Sequence, residues 1–587
     1  MKDFIKYTLA TICGLFITGG ILFLLSIISV AGMLTIENIP PSIAPHSILR
    51  ITLNGELQED TPNDPISSFF DSNNAPISLK ETLIAIRTAK THPDIDGIYI
   101  EAQTMYGATP AMLRELREAL MDFKKSGKFI IAYGDHYTQG CYYICSIADQ
   151  IILNPKGQLH WCGMAVQPIF YKDLLEKIGI RMQVFKVGNY KSAVEPFTST
   201  QMSEANREQV TSYLNDIWQT MLTDVSVSRN ISIDRLNEIA DTLTLLRPAS
   251  DLLKMGIVDT LSYIDGVSRI LHDKTGNTEN HIPLISVKDL SAHAATASQK
   301  GDKIIIYYAY GDIVDRRSDW GANVISAEDV CYDLKQLRED HSVKAVVLRI
   351  NSGGGSAYAS EQLWHEIKLL CKTKPVVVSM GGMAASGGYY MSCAANYIIA
   401  EPTTLTGSIG IFGLIPDASQ LLSEKLGLHF DVVKTNNHAD FGNMARPFNA
   451  TEAAMMQNYI QQGYQLFTGR VSDGRKIPLK EVEKLAAGRV WTGRQALENG
   501  LVDANGNLQT AIEKAAELSQ SEHYHIEYAP APIPWYEDLF TKEKQTYINT
   551  VLQETLGIYY TPLMTLRNIR QTAPIQARIP YEFNFIN

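Results

Sequence analysis

Past its first forty residues, the chain alternates two patterns of apolar positions. Short, largely apolar runs recur at Ile98 to Ile100, Phe129 to Tyr133, Val346 to Ile350 and Val376 to Met380, and each reads as a buried strand. Between them, Leu113, Leu116 and Leu120, and later Leu363, Ile367 and Leu370, recur at three- and four-residue spacing, which predicts amphipathic helices. Strands alternating with helices predict an α/β fold with parallel sheets and right-handed crossovers. The start of the chain is different. Lys2 and Lys6 precede an uncharged run from Tyr7 to Ile36, which ends at Glu37. About 20 apolar residues suffice for a helix to cross a bilayer, so this run can span. It is also longer than the apolar part of a cleavable signal peptide, although cleavage after a small residue near Ala31 stays open as an alternative. The flanking lysines predict a cytoplasmic N-terminus, with everything after Glu37 on the outer side.

The part after the anchor resembles itself. The segment from Asp96 to Pro155 matches the one from Lys344 to Pro402. Gly140, Tyr142, Tyr143 and Pro155 meet Gly387, Tyr389, Tyr390 and Pro402 at a constant offset. Farther on, GIVD from Gly256 meets GLVD from Gly500. The expected plan is an anchor over 1–46, a first repeat over 47–271, a polar linker over 272–301, a second repeat over 302–528 and an extension over 529–587.

Composition narrows the functional classes. A net charge of −11 with no basic stripe argues against a nucleic-acid partner. The seven cysteines are odd in number and form no CxxC pair, which argues against a structural zinc site or a dense disulfide framework.

The chemistry is in the differences between the copies. In SMGGMAASGGYYMS, Ser386 precedes two glycines at a predicted helix start, where free N–H groups can stabilise an oxyanion. The aligned residue in the first copy is Gln139. The loop Asn351-Ser352-Gly353-Gly354-Gly355-Ser356 can turn its amides toward a ligand, whereas the first copy has only Gly107 there. A serine nucleophile needs a base. Lys191 of the first copy aligns with Ala439, while Lys186 aligns with Lys434. Serine and lysine are therefore complementary, one in each copy. A lysine acts as a base only when neutral, which requires a desolvated pocket, such as one between the copies or between protomers. His429, His438 and Asp440 stay open as an alternative triad, and Glu195 reads as structural.

The motifs YKSAVEPF from Tyr190, INSGGGS from Ile350, SMGGMAASGGYY from Ser379 and TGSIGIFG from Thr406 are similar, in order and spacing, to the long, duplicated form of signal peptide peptidase A (SppA), over roughly Ile51 to Ala516. The resemblance implies tandem crotonase/ClpP-like domains and a membrane-anchored serine endopeptidase of the protease IV type, which degrades cleaved signal peptides through an acyl-enzyme. It implies Ser386 as nucleophile, Lys191 as general base, Ser408 orienting the lysine, and the backbones of Gly354, Gly355 and Gly387 at the oxyanion hole. It implies no cofactor or metal, a homo-oligomer (a tetramer), and a bacterial inner membrane with the catalytic part on the periplasmic face. One departure is Gly353, where the family usually has proline. Two other classes stay in view: an acyl-coenzyme A enzyme on the same fold, and a non-catalytic membrane scaffold.

Overall fold

The computed structural model describes residues 2–36, 42–61, 76–276, 282–295, 300–317, 323–530 and 574–579. Lys2–Ile36 is one helix. Its stretch Lys6–Leu25 is long and apolar enough to cross a membrane, and Leu15, Phe16 and Phe23 on it are exposed.

Each repeat builds one sheet, as the apolar pattern predicts, parallel throughout in the first and parallel in the second except where Val490–Thr492 runs antiparallel to Leu405–Gly407. In the first, the strands run in the order Ile77–Ser78, Ser47–Gln58, Ile95–Tyr106, Phe129–Tyr137, Gln150–Leu159 and Thr260–Leu261. The helix Pro110–Lys124 starts where the Thr109 hydroxyl accepts from the Met112 amide, with proline in its first turn, and buries Leu113, Leu116 and Leu120. The second repeat orders Val490–Thr492, Leu405–Gly407, Val376–Ala385, Val343–Ser352, Asp302–Tyr310 and Tyr524–Ala529. Its helix Ala357–Leu370 is capped by Ser356 and buries Leu363, Ile367 and Leu370. Cys141 and Cys145 pack in the first core and Cys393 in the second.

The stretch 272–301, read as a linker, is not only a connection. Leu284–Ser286 pairs in parallel with Ser47–Gln58, and the helix Val287–Ala295 follows it. This edge strand stands where Tyr524–Ala529 stands in the second repeat, beside Asp302–Tyr310. The first repeat therefore runs on to Ser286. Three residues in polar surroundings are too short to give a periodic signal.

A third, mixed sheet joins the halves. Its order is Val324–Ser326, Asp312–Val314, Gly354–Ser356, Ile575–Arg578, Phe412–Asp417 and Arg181–Lys186. The last strand comes from the first repeat and lies antiparallel to Phe412–Asp417. The segment Ile575–Arg578 comes from the C-terminal extension, which gave no repeat signal.

Buried charge also crosses between the halves. Arg349, 1% exposed on the strand leading to the glycine loop, donates to Glu59 over 3.0 and 3.2 Å and to Glu115 over 2.6 Å. Its Nη1 donates to the Ser379 hydroxyl over 3.0 Å. Burial pushes the Glu59 carboxyl up, and Arg349 opposes that shift. Removing one member of a buried charge cluster leaves the others unpaired in a low dielectric, at a cost of about 3–5 kcal/mol. Arg349→Ala should therefore lower the melting temperature measured by calorimetry, and an unchanged melting temperature would show that the cluster does not hold the halves together.

Candidate active site

Ser386 stands at the junction of the strand Val376–Ala385 and the short helix Gly387–Ser392. Its backbone is at φ 56° and ψ −110°, a conformation that L-residues rarely adopt. Such strain persists only where the surroundings enforce it. Here the Ser386 amide donates to the Gly407 carbonyl over 2.8 Å, and the Tyr390 amide donates to the Ser386 carbonyl over 2.8 Å. The sharp turn lifts the side chain off the sheet toward the other half.

Lys191 arrives from the first repeat, between the strand Arg181–Lys186 and the helix Glu195–Thr198. Its Nζ lies 2.7 Å from Ser386 Oγ, 3.0 Å from the Ser408 carbonyl and 3.0 Å from Ser408 Oγ. Lys191, Ser386 and Ser408 are all 0% exposed. Burial holds the Lys191 ammonium well below the usual lysine range. A neutral amine has two N–H donors and one lone pair. The Ser408 carbonyl and hydroxyl can take the donors, which leaves the lone pair for the Ser386 proton.

The loop that carries Lys191 is held by packing and hydrogen bonds together. A Cβ on Gly488 would stand 2.5–2.6 Å from the N, Cα and Cβ of Lys191, and one on Gly188 would stand 2.4–2.6 Å from Ala487. Both glycines have positive φ, so this backbone approach is open to them alone. Gln209 Nε2 donates to the Tyr190 carbonyl over 3.1 Å and to Ser192 Oγ over 3.0 Å. The buried Glu195 accepts from Ser203 and from Asn206 Nδ2, a structural role as expected.

The glycine loop forms the facing wall. Gly354 has φ +100°, and its amide donates to Ser352 Oγ over 3.1 Å. The Gly387 amide nitrogen lies 2.8 Å from the point where a Gly354 Cβ would stand, so the two glycines share one small volume. A Cβ on Gly355 would meet the Ile313 carbonyl at 2.1 Å. The alternative triad is not assembled. His438 lies 3.3 Å from Glu452, Asp440 pairs with Lys434 and Arg446, and His429 is exposed.

Against known proteins, the profile described as peptidase family S49 matches twice, over residues 122–276 and 368–522. The chain belongs to peptidase family S49. A Clp protease profile also matches over 321–404. Protease 4 of Salmonella typhi is 39% identical over 503 residues, covering 84% of this chain and 80% of that protein. Protease 4 of Haemophilus influenzae is 34% identical, covering 82% and 78%. The chloroplastic serine protease SPPA of Arabidopsis thaliana is 33% identical, covering 80% and 69%. The S49 chain is thus a serine peptidase with two α/β repeats, like the long form of SppA. The acyl-coenzyme A and scaffold alternatives give way to that membership.

Three features of this S49 site were not read from the sequence. Gly188 and Gly488 let the lysine loop pack, and their signal was two glycines outside any predicted turn. Gln209 lies within the helix Glu204–Arg229, with nothing in the sequence to mark it. The strand Ile575–Arg578 lies in a stretch with no counterpart in the other repeat.

Burying Lys191 neutral has a thermodynamic sign. Between its depressed folded pKa and its unfolded value near about 10.4, the unfolded chain binds the extra proton, so stability rises with pH across that window. Lys191→Met should therefore melt higher than the parent chain at pH 7, with the gap closing as the pH approaches 10. A variant that melts lower at every pH would show that the amine's hydrogen bonds outweigh its desolvation.

Proposed function

We propose that this S49 peptidase is an endopeptidase in which Ser386 is the nucleophile and Lys191 the general base. One observation carries the reading: the 2.7 Å contact between Lys191 Nζ and Ser386 Oγ at a site closed to water. The neutral amine takes the hydroxyl proton as Oγ attacks the scissile carbonyl. The oxyanion forms beside the backbones of Gly354, Gly355 and Gly387. The lysine passes its proton to the leaving amine, and the acyl-enzyme remains. Lys191 then activates water to release the acid. Ser408 is the positioning residue, because its two oxygens fix where the amine points.

Substrates are extended, apolar peptides, which bind by strand addition along the glycine loop Gly354–Ser356. Released signal peptides have this character, and a relative from Enterococcus faecium that matches about a third of the chain is named putative signal peptide peptidase SppA. The helix Lys2–Ile36 tethers the enzyme to a cytoplasmic membrane, with the peptidase repeats on the outer face. Digestion of the repeats by protease added only to the cytoplasmic side of inverted vesicles would contradict that orientation.

The enzyme works as a homo-oligomer. Residues 427–434 are the repeat counterpart of 179–186, yet they form no strand. Leu428, Phe430, Val432 and Val433 on this segment are exposed. In the first repeat the equivalent strand is covered by Phe412–Asp417. A second copy of the chain, offering the matching stretch 165–170, would cover this edge in the same way, and contacts that repeat head to tail close into a ring. A monomeric mass in mild detergent would overturn this.

Ser386→Ala and Lys191→Ala should each lower kcat/KM on an apolar reporter peptide by about 10³-fold or more. For the parent enzyme, kcat/KM should climb with pH through one ionisation well below the ordinary lysine value, because only the deprotonated amine acts. Full activity in both variants would sink the mechanism.

A further inference from the structure

One side chain holds the lysine loop from both repeats. Gln209 is 1% exposed on the helix Glu204–Arg229 of the first repeat. Its Nε2 donates to the Tyr190 carbonyl and to Ser192 Oγ, on either side of Lys191, and to Asn206 Oδ1 over 3.1 Å. Its Oε1 accepts from the Val490 amide of the second repeat over 3.1 Å. Val490 stands opposite Gly407 in the antiparallel pair of Val490–Thr492 and Leu405–Gly407. The Gly407 carbonyl accepts from the Ser386 amide, and the Ser408 amide donates to the Arg489 carbonyl over 2.7 Å. A single carboxamide therefore ties both neighbours of Lys191 to the strands around Ser386 and Ser408.

The second repeat serves as a control. The helices Glu204–Arg229 and Ala450–Arg475 are both 26 residues long and follow the capping residues Ser203 and Asn449. Matched from these caps, Gln209 falls on Met455, which is 60% exposed. The loop before that helix has Ala439 where the first repeat has Lys191. The copy with no lysine to aim thus has no buried carboxamide at this place. Glutamine and methionine form helices about equally well, so helix formation does not explain the difference. Burying a carboxamide is favourable only where its polar atoms find partners, and those of Gln209 lie on the lysine loop and across the contact of the repeats.

We propose that Gln209 is a positioning residue for the general base, setting where the Lys191 amine stands relative to Ser386 and Ser408. This rests on the reading of Lys191 given above. Lys191 Nζ has to stay within hydrogen-bond reach of Ser386 Oγ and of both Ser408 oxygens, all of which belong to the other repeat. A lysine stem is flexible, so the amine is fixed only if the backbone beneath it is fixed. Without the Gln209 carboxamide, the Tyr190 carbonyl, Ser192 Oγ and the Val490 amide each lose this partner, and buried polar groups that lose a partner take up water. Water beside Lys191 favours the ammonium, and a displaced amine takes the serine proton more slowly.

The pH dependence of kcat and KM, measured on the full chain in detergent with an apolar reporter peptide, tests this. Gln209→Met should lower kcat by about 10- to 100-fold with KM unchanged, and kcat should rise through an ionisation about one pH unit above that of the parent. Gln209→Asn keeps the carboxamide one methylene short and should fall between the two; it carries the same test if the methionine variant does not fold. Ser212→Ala is the control. Ser212 Oγ, on the same helix, accepts from Gln495 Nε2 of the second repeat over 3.2 Å, so its loss weakens the docking away from the lysine loop and should leave kcat and the ionisation as in the parent. Parent-like kcat in Gln209→Met overturns the proposal. So does a lower kcat with the ionisation unmoved, which reduces Gln209 to a support of the fold, or a raised KM with kcat kept, which puts it in peptide binding. An equal shift in Ser212→Ala overturns it as well, because docking in general would then be the cause. All four outcomes leave the dyad standing as long as Lys191→Ala is inactive. Full activity of Lys191→Ala overturns the dyad and this proposal together.

Discussion

A lysine amine from which water is excluded is the constraint on which the rest of the site depends. In water an ammonium is strongly preferred at neutral pH, and a serine hydroxyl beside it gains nothing as a nucleophile. Enclosing Lys191 Nζ between two domains reverses that preference. The enclosure demands close backbone approach, which explains Gly188 and Gly488. It also demands a fixed direction for the lone pair, which the carbonyl and hydroxyl of Ser408 supply.

Dividing the dyad between two repeats suits this need. A pocket inside one α/β domain would open to solvent at the ends of its strands, where such folds usually bind ligands. A pocket at the contact of two domains is closed by the contact itself. The interface must then be held in one register. The Arg349–Glu59–Glu115 cluster does that through charges that tolerate only one arrangement, and Arg349 stands on the strand that ends in the glycine loop. Asn351 extends the same network. Its Nδ2 donates to Glu59, and its Oδ1 accepts from the Met383 amide three residues before Ser386. The position of Ser386 and the docking of the repeats are therefore one structural fact.

The parts of the site that lie in the duplicated sequence were legible because each copy served as the other's control. Gln139 opposite Ser386 and Ala439 opposite Lys191 marked the polar positions that the fold itself does not need. The apolar runs gave the strands and helices for the same reason that they form a core. What stayed hidden has no periodic signature. Leu284–Ser286 is three residues long, and its pairing is set by a sheet edge some 230 residues away in sequence. Ile575–Arg578 has ordinary strand composition, but its meaning comes from the groove it enters. Gly488 acts through its distance from Lys191, which only the folded chain defines.

The mixed sheet shows how recognition and catalysis share one backbone. Gly354 and Gly355 cannot carry side chains, because strands approach them within contact distance on both sides. The same lack of side chains lets an extended segment, here Ile575–Arg578, lie directly against the loop backbone. Recognition through backbone alone discriminates little between sequences, so on the proposed mechanism selectivity comes from the side chains around the loop and from which chains can reach it. A tether in the bilayer, as proposed for Lys2–Ile36, would raise the local concentration of peptides in the membrane. For a peptidase that reads backbone, such a tether would do part of the work that a deep specificity pocket does elsewhere.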